Sequence, residues 1–159
     1  MYGHLKGDPT VVADSASNHL KGLRVNDYSA TKGYRYIKNV GPALAAGDLV
    51  YWTTTDGYSV SSSTSAIDGT LGSCNRPCGV AVGTIPENYF GYVAVCGFGL
   101  RVNVSEPVLA GAYLMGPNAA AALALPGTAG AEHCAFARAL EADSGTDDYV
   151  SSEVWIDKF

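Results

Sequence analysis

The sequence predicts an all-β protein: a small barrel or sandwich of short antiparallel strands with an extended N-terminal arm. Three observations favour this fold class. Charged residues are only 16% of the 159 residues, whereas glycine occurs 19 times and tyrosine ten times, a composition that suits strands and tight turns better than long helices. Short apolar runs alternate with Ala-Gly and Asp-Gly turns. Finally, one pattern of proline, small apolar residues, Ala-Gly turn and apolar run occurs twice, with Gly47 and Gly111 lying 64 residues apart.

The repeat extends beyond these two turns. Residues 79–83 are echoed by 135–140, and residues 92–95 are echoed by 149–156. Neither copy contains a recognisable reaction centre, which favours a structural or binding protein over an enzyme.

Residues 1–32 are predicted to form the arm, and residues 33–159 the β domain. The first 30 residues are polar with isolated apolar positions, and neither period 2 nor period 3.6 runs through them. The arm is therefore expected to be extended and ordered only where it lies on another surface. The alternative is that it wraps its own domain as an edge strand.

From residue 33 the strand pattern becomes clear. Asp56-Gly57 predicts a tight hairpin turn, and Gly97 and Gly99 predict a bulge or a close backbone approach. Residues 119–125 are rich in Ala and Leu but lie between two prolines, and we assign them as a strand because the repeat requires one. Val150, Val154, Trp155 and Ile156 are expected to close the core. The remaining strands are expected at 34–40, 49–54, 58–60, 78–85, 89–95, 100–104, 134–142 and 149–156.

Charge is distributed unevenly. Residues 1–38 carry six basic and three acidic side chains, a net +3, whereas residues 39–159 carry four basic and twelve acidic side chains, a net −8. An acidic body lacks the clustered cations that phosphate neutralisation requires, so nucleic acid is not an expected partner. No apolar run has the length of a membrane span, and the first residues lack the apolar core of a signal peptide. Synthesis in a cytoplasm is expected.

The sequence gives little support for catalysis or metal binding. Cys74 and Cys78 lack the matched second pair of a zinc ribbon; a disulfide between them and buried thiols remain alternatives. His133 and Cys134 are adjacent, so in a strand they face opposite sides. No serine lies in a nucleophile elbow. We therefore expect no enzyme activity, no metal and no cofactor.

A second function class is carbohydrate binding for host attachment. Tyr89, Phe90 and Tyr92 cluster around a predicted turn, and aromatic rings with polar tips can form sugar-stacking platforms. The alternative is that these rings pack half-buried in a strand.

From residue 33 onward the chain resembles the capsid decoration (cement) proteins of tailed bacteriophages. The resemblance is a pattern of turns and strands without a chemical signature, and the cysteines are not expected in that family. It is carried by Lys38-Asn39, Ala45, Gly47-Asp48, Val50-Tyr51-Trp52, Gly57-Tyr58, Val60, Gly79-Val80-Ala81-Val82-Gly83, Gly91-Tyr92-Val93-Ala94-Val95-Cys96-Gly97, Ala137-Arg138-Ala139-Leu140-Glu141 and Val154-Trp155-Ile156.

The resemblance implies a virion protein on the outer surface of the expanded capsid, stabilising it at capsomer junctions. Its partners would be the major capsid protein and other copies of itself, a trimer being favoured over a dimer. The arm is expected to bind the capsid or a neighbouring copy, so that deleting residues 1–30 leaves a folded body that no longer binds. The expected contact residues are Leu20, Lys21, Leu23, Arg24, Val25 and Tyr28.

Overall fold

The predicted all-β fold is confirmed. The computed structural model describes residues 3–4, 13–16, 19, 21–26, 31–53, 56–62, 77–116, 124–126, 135–144 and 149–156. One mixed sheet contains all the strands. In chain order they are β1 Gly3–His4, β2 Ala13–Asp14, β3 Arg24–Asn26, β4 Lys32–Asn39, β5 Leu49–Trp52, β6 Ser59–Ser61, β7 Gly79–Ala81, β8 Phe90–Asn103, β9 Tyr113–Met115, β10 Leu125–Pro126, β11 Ala137–Ala139 and β12 Tyr149–Trp155.

The first half of the sheet closes on itself. Antiparallel pairs join β4 to β8, β8 to β7, β7 to β5 and β5 to β6, and a parallel pair joins β6 back to β4. This ring, the first barrel, leaves none of its five strands as a free edge. Its interior is filled by Ile37, Leu44, Val50, Val60, Cys78, Ala81, Ile85 and Val93.

A second barrel follows the same plan. The later part of β8 pairs with β12, β12 with β11, β11 with β9 and β9 with β10. A parallel bridge between Val104 and Ala124 closes the ring. Large side chains inside it include Leu114 and Phe136, both fully buried.

Equivalent backbone hydrogen bonds confirm the sequence repeat. In the first barrel, the amides of Leu44, Gly47, Cys78 and Ala81 donate to the carbonyls of Ile85, Ala81, Val50 and Asp48. In the second barrel, the amides of Val108, Gly111, Phe136 and Ala139 donate to the carbonyls of Asp143, Ala139, Leu114 and Ala112. The chain is thus two copies of one small barrel, and β8 belongs to both.

The predicted glycine interruption lies where β8 passes from one barrel to the other. Residues 97–100 of β8 face residues 152–154 of β12, so β8 carries one extra residue there, which confirms the bulge. Gly97 has φ 138°, and a Cβ on it would lie 2.8 Å from Lys32 Cγ. The two strands expected at 89–95 and 100–104 are therefore one bent strand.

A turn of the first barrel docks against the second barrel. The Asn103 side chain donates to the Ala46 carbonyl over 3.1 Å and to Asp48 Oδ1 over 2.9 Å, and its backbone amide donates to the Gly47 carbonyl over 2.9 Å. Gly47 has φ 93°, and a Cβ on it would clash with the Asn103 amide. The equivalent turn of the second barrel is exposed around Gly111.

The described parts of residues 1–32 are bonded into the same sheet. β3 pairs with β4, β1 pairs with β3 in parallel, and β2 pairs with β8. These strands were not assigned from the sequence, because no periodicity marks them. Their pairing matches the alternative in which the arm wraps its own domain.

Some expectations differ from the structure. The strand at 78–85 is only β7, after which the chain bends and Ile85 bridges back to Leu44, and the strand at 134–142 is only β11. Of residues 119–125, only Ala124 and Leu125 are described, so the strand expected there stays a prediction. Val150 and Val154 are buried as expected, but Trp155 is half-exposed on the outside of the second barrel, so its predicted place in the core is wrong.

Candidate functional site

The predicted contact residues divide into buried and exposed groups. Val25 is 3% exposed and lies opposite Tyr34 in the pairing of β3 with β4. Leu23 is half-buried against the same hydrophobic cluster. Both side chains pack within their own domain, so they offer little surface to a partner. Lys21 is exposed and Arg24 half-buried. Leu20 and Tyr28 lie outside the described residues.

The arm lies over an aromatic face on the outside of the first barrel, formed by Tyr36, Phe90 and Tyr92. The Tyr36 and Tyr92 ring centroids are 5.1 Å apart, and Tyr36 stacks on Phe90 at 5.9 Å. The arm's His19 meets the edge of Tyr36 at 5.0 Å. The Tyr36 hydroxyl donates to Asp14 Oδ2 over 3.0 Å. The arm therefore covers rings that would otherwise face solvent.

This covering also affects the titration of Tyr92. Burial raises the pKa of the Tyr92 phenol above its ordinary value of 10.0, and the nearby Asp14 carboxylate raises it further. Both effects disfavour the phenolate. Tyr92 is therefore neutral at physiological pH and acts as a packing group.

Lysine side chains border the aromatic face. Lys21 Nζ lies 4.8 Å from the ring centroid of Tyr58 and 5.7 Å from that of Phe90, and Lys38 Nζ lies 5.8 Å from that of Phe90. These cation–π contacts hold two positive charges at the border of the arm. This cationic border is a surface that can attract an acidic partner.

The predicted sugar platform is wrong for two of its three rings. Phe90 is 7% exposed and Tyr92 3% exposed, whereas Tyr89 is 37% exposed. A single half-exposed tyrosine does not form a stacking platform. The sequence interpretation failed because the residues that cover the face come from a distant segment, β2 and His19.

The described residues contain no group of three or more His, Cys, Asp or Glu side chains able to hold a metal ion. Cys78 is buried inside the first barrel and Cys96 is half-buried on β8. Cys74, His133 and Cys134 lie outside the described residues, so a Cys74–Cys78 disulfide and buried free thiols both stay open as alternatives. In the part of the chain that is described, no helix is long and apolar enough to cross a membrane.

A second surface feature, missed by sequence reasoning, lies on the outside of the second barrel. Tyr113, Arg138, Glu153 and Trp155 line an open groove of about 260 Å³, here called the outer groove. Arg138 Nη2 contacts Glu153 Oε2 at 3.3 Å. The rings of Tyr113 and Trp155 meet edge to face, with centroids 6.3 Å apart. Alternation along β12 could have placed Glu153 and Trp155 on one face, but Trp155 was assigned to the core.

Comparison with known proteins gives a likeness to a solved structure. No protein-family model matches the chain, and no curated protein matches it. Among solved structures, it is similar to the N base of the head fiber gp8.5 of bacteriophage phi29. The TM-score is 0.51 at 16% identity, covering 79% of this chain and 96% of that chain. At this identity the likeness is one of fold.

Proposed function

We propose that this protein is a virion structural protein that binds the outer surface of the expanded phage capsid and stabilises it at capsomer junctions, without catalysing a reaction. The observation that carries the proposal is the fold likeness to the base of a phage head fiber, which extends over 96% of that chain. It agrees with the resemblance to capsid decoration proteins in the sequence pattern of the β domain.

The described architecture suits a structural role. Among the described residues, two closed barrels joined by a shared strand leave few free edges, so they offer a rigid body to a lattice. A protein that binds only the expanded capsid stabilises that form by mass action. Self-association, with a trimer favoured over a dimer, would place several bodies around one junction and increase avidity.

Among the described residues of the predicted contact, Lys21 is the one that belongs to the cationic border. Its side chain is exposed, whereas Arg24 is half-buried and Val25 is buried in the core. We therefore narrow the proposed contact to the cationic border, formed by Lys21 and Lys38, facing acidic groups on the capsid or on a neighbouring copy.

Co-sedimentation with empty heads of the cognate phage tests the proposal. The full-length protein is expected to pellet with expanded heads and not with unexpanded ones, and to raise the temperature at which expanded heads open. Lys21→Ala is expected to weaken binding about two- to fivefold, the effect of losing one exposed charge at an interface.

The matched control is Arg138→Ala, which removes one exposed positive charge from the opposite barrel. It is expected to bind expanded heads as the unmodified protein does. Failure of the unmodified protein to bind expanded heads would overturn the proposed function. Equal losses in the two variants would overturn the assignment of the contact to the cationic border.

A further inference from the structure

The outer groove occupies a fixed place in the strand pairing. Tyr113 lies opposite Arg138 across β9 and β11, and Arg138 lies opposite Glu153 across β11 and β12. Trp155 is two residues further along β12, on the same face as Glu153. Four side chains from three strands of a closed barrel therefore converge on the groove, on elements that hold their positions firmly.

In the first barrel, the positions equivalent to Tyr113, Arg138 and Glu153 are occupied by buried packing residues. The equivalent row is Leu49 opposite Val80 and Val80 opposite Ala94, across β5, β7 and β8. All three side chains are 0% exposed. In the second barrel, the same three backbone positions carry a tyrosine, an arginine and a glutamate, and their side chains are accessible to solvent.

The exposure of the outer groove supports recognition over packing. Tyr113 is 43% exposed, and the side chains of Arg138 and Glu153 are 47% and 27% exposed. Two aromatic walls at an interplanar angle of 83° form a corner, unlike the flat apolar core of a protein interface. The volume of about 260 Å³ is large enough for one sugar ring.

The chemistry of the four side chains matches a sugar. Aromatic rings offer an apolar surface with an electron-rich face to the C–H groups of a pyranose. The ion pair supplies N–H donors and carboxylate acceptors side by side, and vicinal hydroxyl groups both donate and accept. Arg138 and Glu153 together carry no net charge, which favours a neutral sugar.

We propose that the outer groove binds a neutral hexopyranose unit of a surface saccharide. The sugar would lie in the corner formed by Tyr113 and Trp155, with one aromatic ring against its face and the other against its edge, and Arg138 and Glu153 would bond its hydroxyls. This assignment is independent of capsid binding, and it locates a saccharide site on the second barrel, whereas Tyr89, Phe90 and Tyr92 belong to the first.

Titration of the full-length protein followed by two-dimensional ¹H–¹⁵N NMR tests the assignment. The probes are trisaccharides of glucose, galactose, mannose and N-acetylglucosamine, each taken to about 10 mM, a range that detects millimolar affinity. The two tryptophans give two indole signals, identified with Trp52→Phe. At least one probe is expected to shift the Trp155 indole signal and leave that of Trp52 unchanged.

Tyr113→Ala and Arg138→Ala are each expected to weaken binding about tenfold or more, as for anchor residues of an interface. Tyr89→Ala, which removes a tyrosine of similar exposure from the first barrel, is the matched control and is expected to bind normally. Retention of the other NMR signals shows that each variant is folded.

Three results would overturn the assignment. One is the absence of any saccharide-dependent shift at Trp155 across the panel. Another is unchanged binding by Tyr113→Ala. The third is a loss of self-association in Tyr113→Ala, measured by sedimentation, together with no saccharide binding, which would make the outer groove a protein interface.

Discussion

Single residues decide how the two barrels differ despite their common plan. The turns at Gly47 and Gly111 make the same backbone hydrogen bonds, and both glycines have positive φ, 93° and 83°. Gly47 is in contact with the Asn103 amide, whereas no atom of the described residues lies within 4 Å of a Cβ on Gly111. The repeated sequence pattern predicts both turns, but it cannot predict their different surroundings, which depend on the bend in β8.

We expect Gly47→Ala to lower the free energy of unfolding by about 3 kcal/mol or more, because the new methyl group adds a clash to the backbone strain. Gly111→Ala introduces the backbone strain without a clash, and should lower the free energy of unfolding by about 1 kcal/mol. Urea denaturation of the two variants measures the difference. Equal costs would contradict the close docking of the first turn against Asn103.

The Tyr51 hydroxyl gives a pH-dependent prediction. It is buried with no hydrogen-bond partner among the described residues, and burial, with a smaller effect from Cys78, raises its pKa above the ordinary value of 10.0. Because the pKa of Tyr51 is higher in the folded state than in the unfolded state, the folded state favours the neutral phenol. The contribution of this group to the free energy of unfolding is therefore fully present below pH 10 and is lost as the pH rises above it.

Denaturation curves at pH 7 to 11 check this. Above pH 10, the unmodified protein should lose up to about 1.4 kcal/mol per pH unit more steeply than Tyr51→Phe. At pH 7 that variant should be as stable as the unmodified protein, or more stable by about 1 kcal/mol, because an unpaired buried hydroxyl is removed. A clear loss of stability at pH 7 would indicate a partner for the hydroxyl.

At the scale of elements, local signals were predictable and distant pairings were not. The hairpin between β5 and β6 follows from Asp56-Gly57: Asp56 Oδ1 accepts from the amides of Tyr58 and Ser59, and Gly57 has φ 75°. These hydrogen bonds and the positive φ are all contained in the four residues 56–59. The strands β1 and β2 have no such signal, because they pair with β3 and β8, which lie about 20 and more than 70 residues further along the chain. The strand β3 pairs with nearby β4, but no periodicity in its sequence marks it as a strand.

The covering of the aromatic face changes the expected result of deleting the arm. Removing residues 1–30 would expose Tyr36, Phe90 and Tyr92, so we expect a loss of stability of several kcal/mol and new binding of a hydrophobic dye. Circular dichroism melts and dye fluorescence measure both. A truncated body as stable as the full chain would show that the arm does not contribute to the core.

Val25→Ala tests the same point without a deletion. It should lower the free energy of unfolding by about 2 kcal/mol, as do other substitutions that shorten a buried aliphatic side chain. Lys21→Ala, at an exposed position of the same segment, should leave stability nearly unchanged. Similar melting temperatures for the two variants would contradict the burial of Val25.

At the scale of the whole molecule, β8 couples the two barrels. It provides a strand to each, and a continuous hydrophobic cluster extends from the outer face of the first barrel to the interior of the second. The sequence analysis predicts a single barrel or sandwich that contains a repeated pattern, whereas the structure has two barrels. The sharing of one strand does not follow from the repeat, because Gly97 and Gly99 predict an interruption between two separate strands.

We expect one cooperative thermal transition with equal calorimetric and van't Hoff enthalpies. Ile37→Ala, inside the first barrel, and Leu114→Ala, inside the second, should each destabilise by about 2–5 kcal/mol and shift the whole transition. Scanning calorimetry measures this. A separate transition that responds to only one of the variants would show that the barrels unfold independently.

The position of β8 in the chain also sets an order of assembly on the ribosome. Every strand of the first barrel has been synthesised once residue 97 emerges, whereas the second barrel awaits β12, which ends at Trp155. The first barrel can therefore close on the nascent chain. The remainder of β8 then presents an unpaired strand on which the later strands can add in turn.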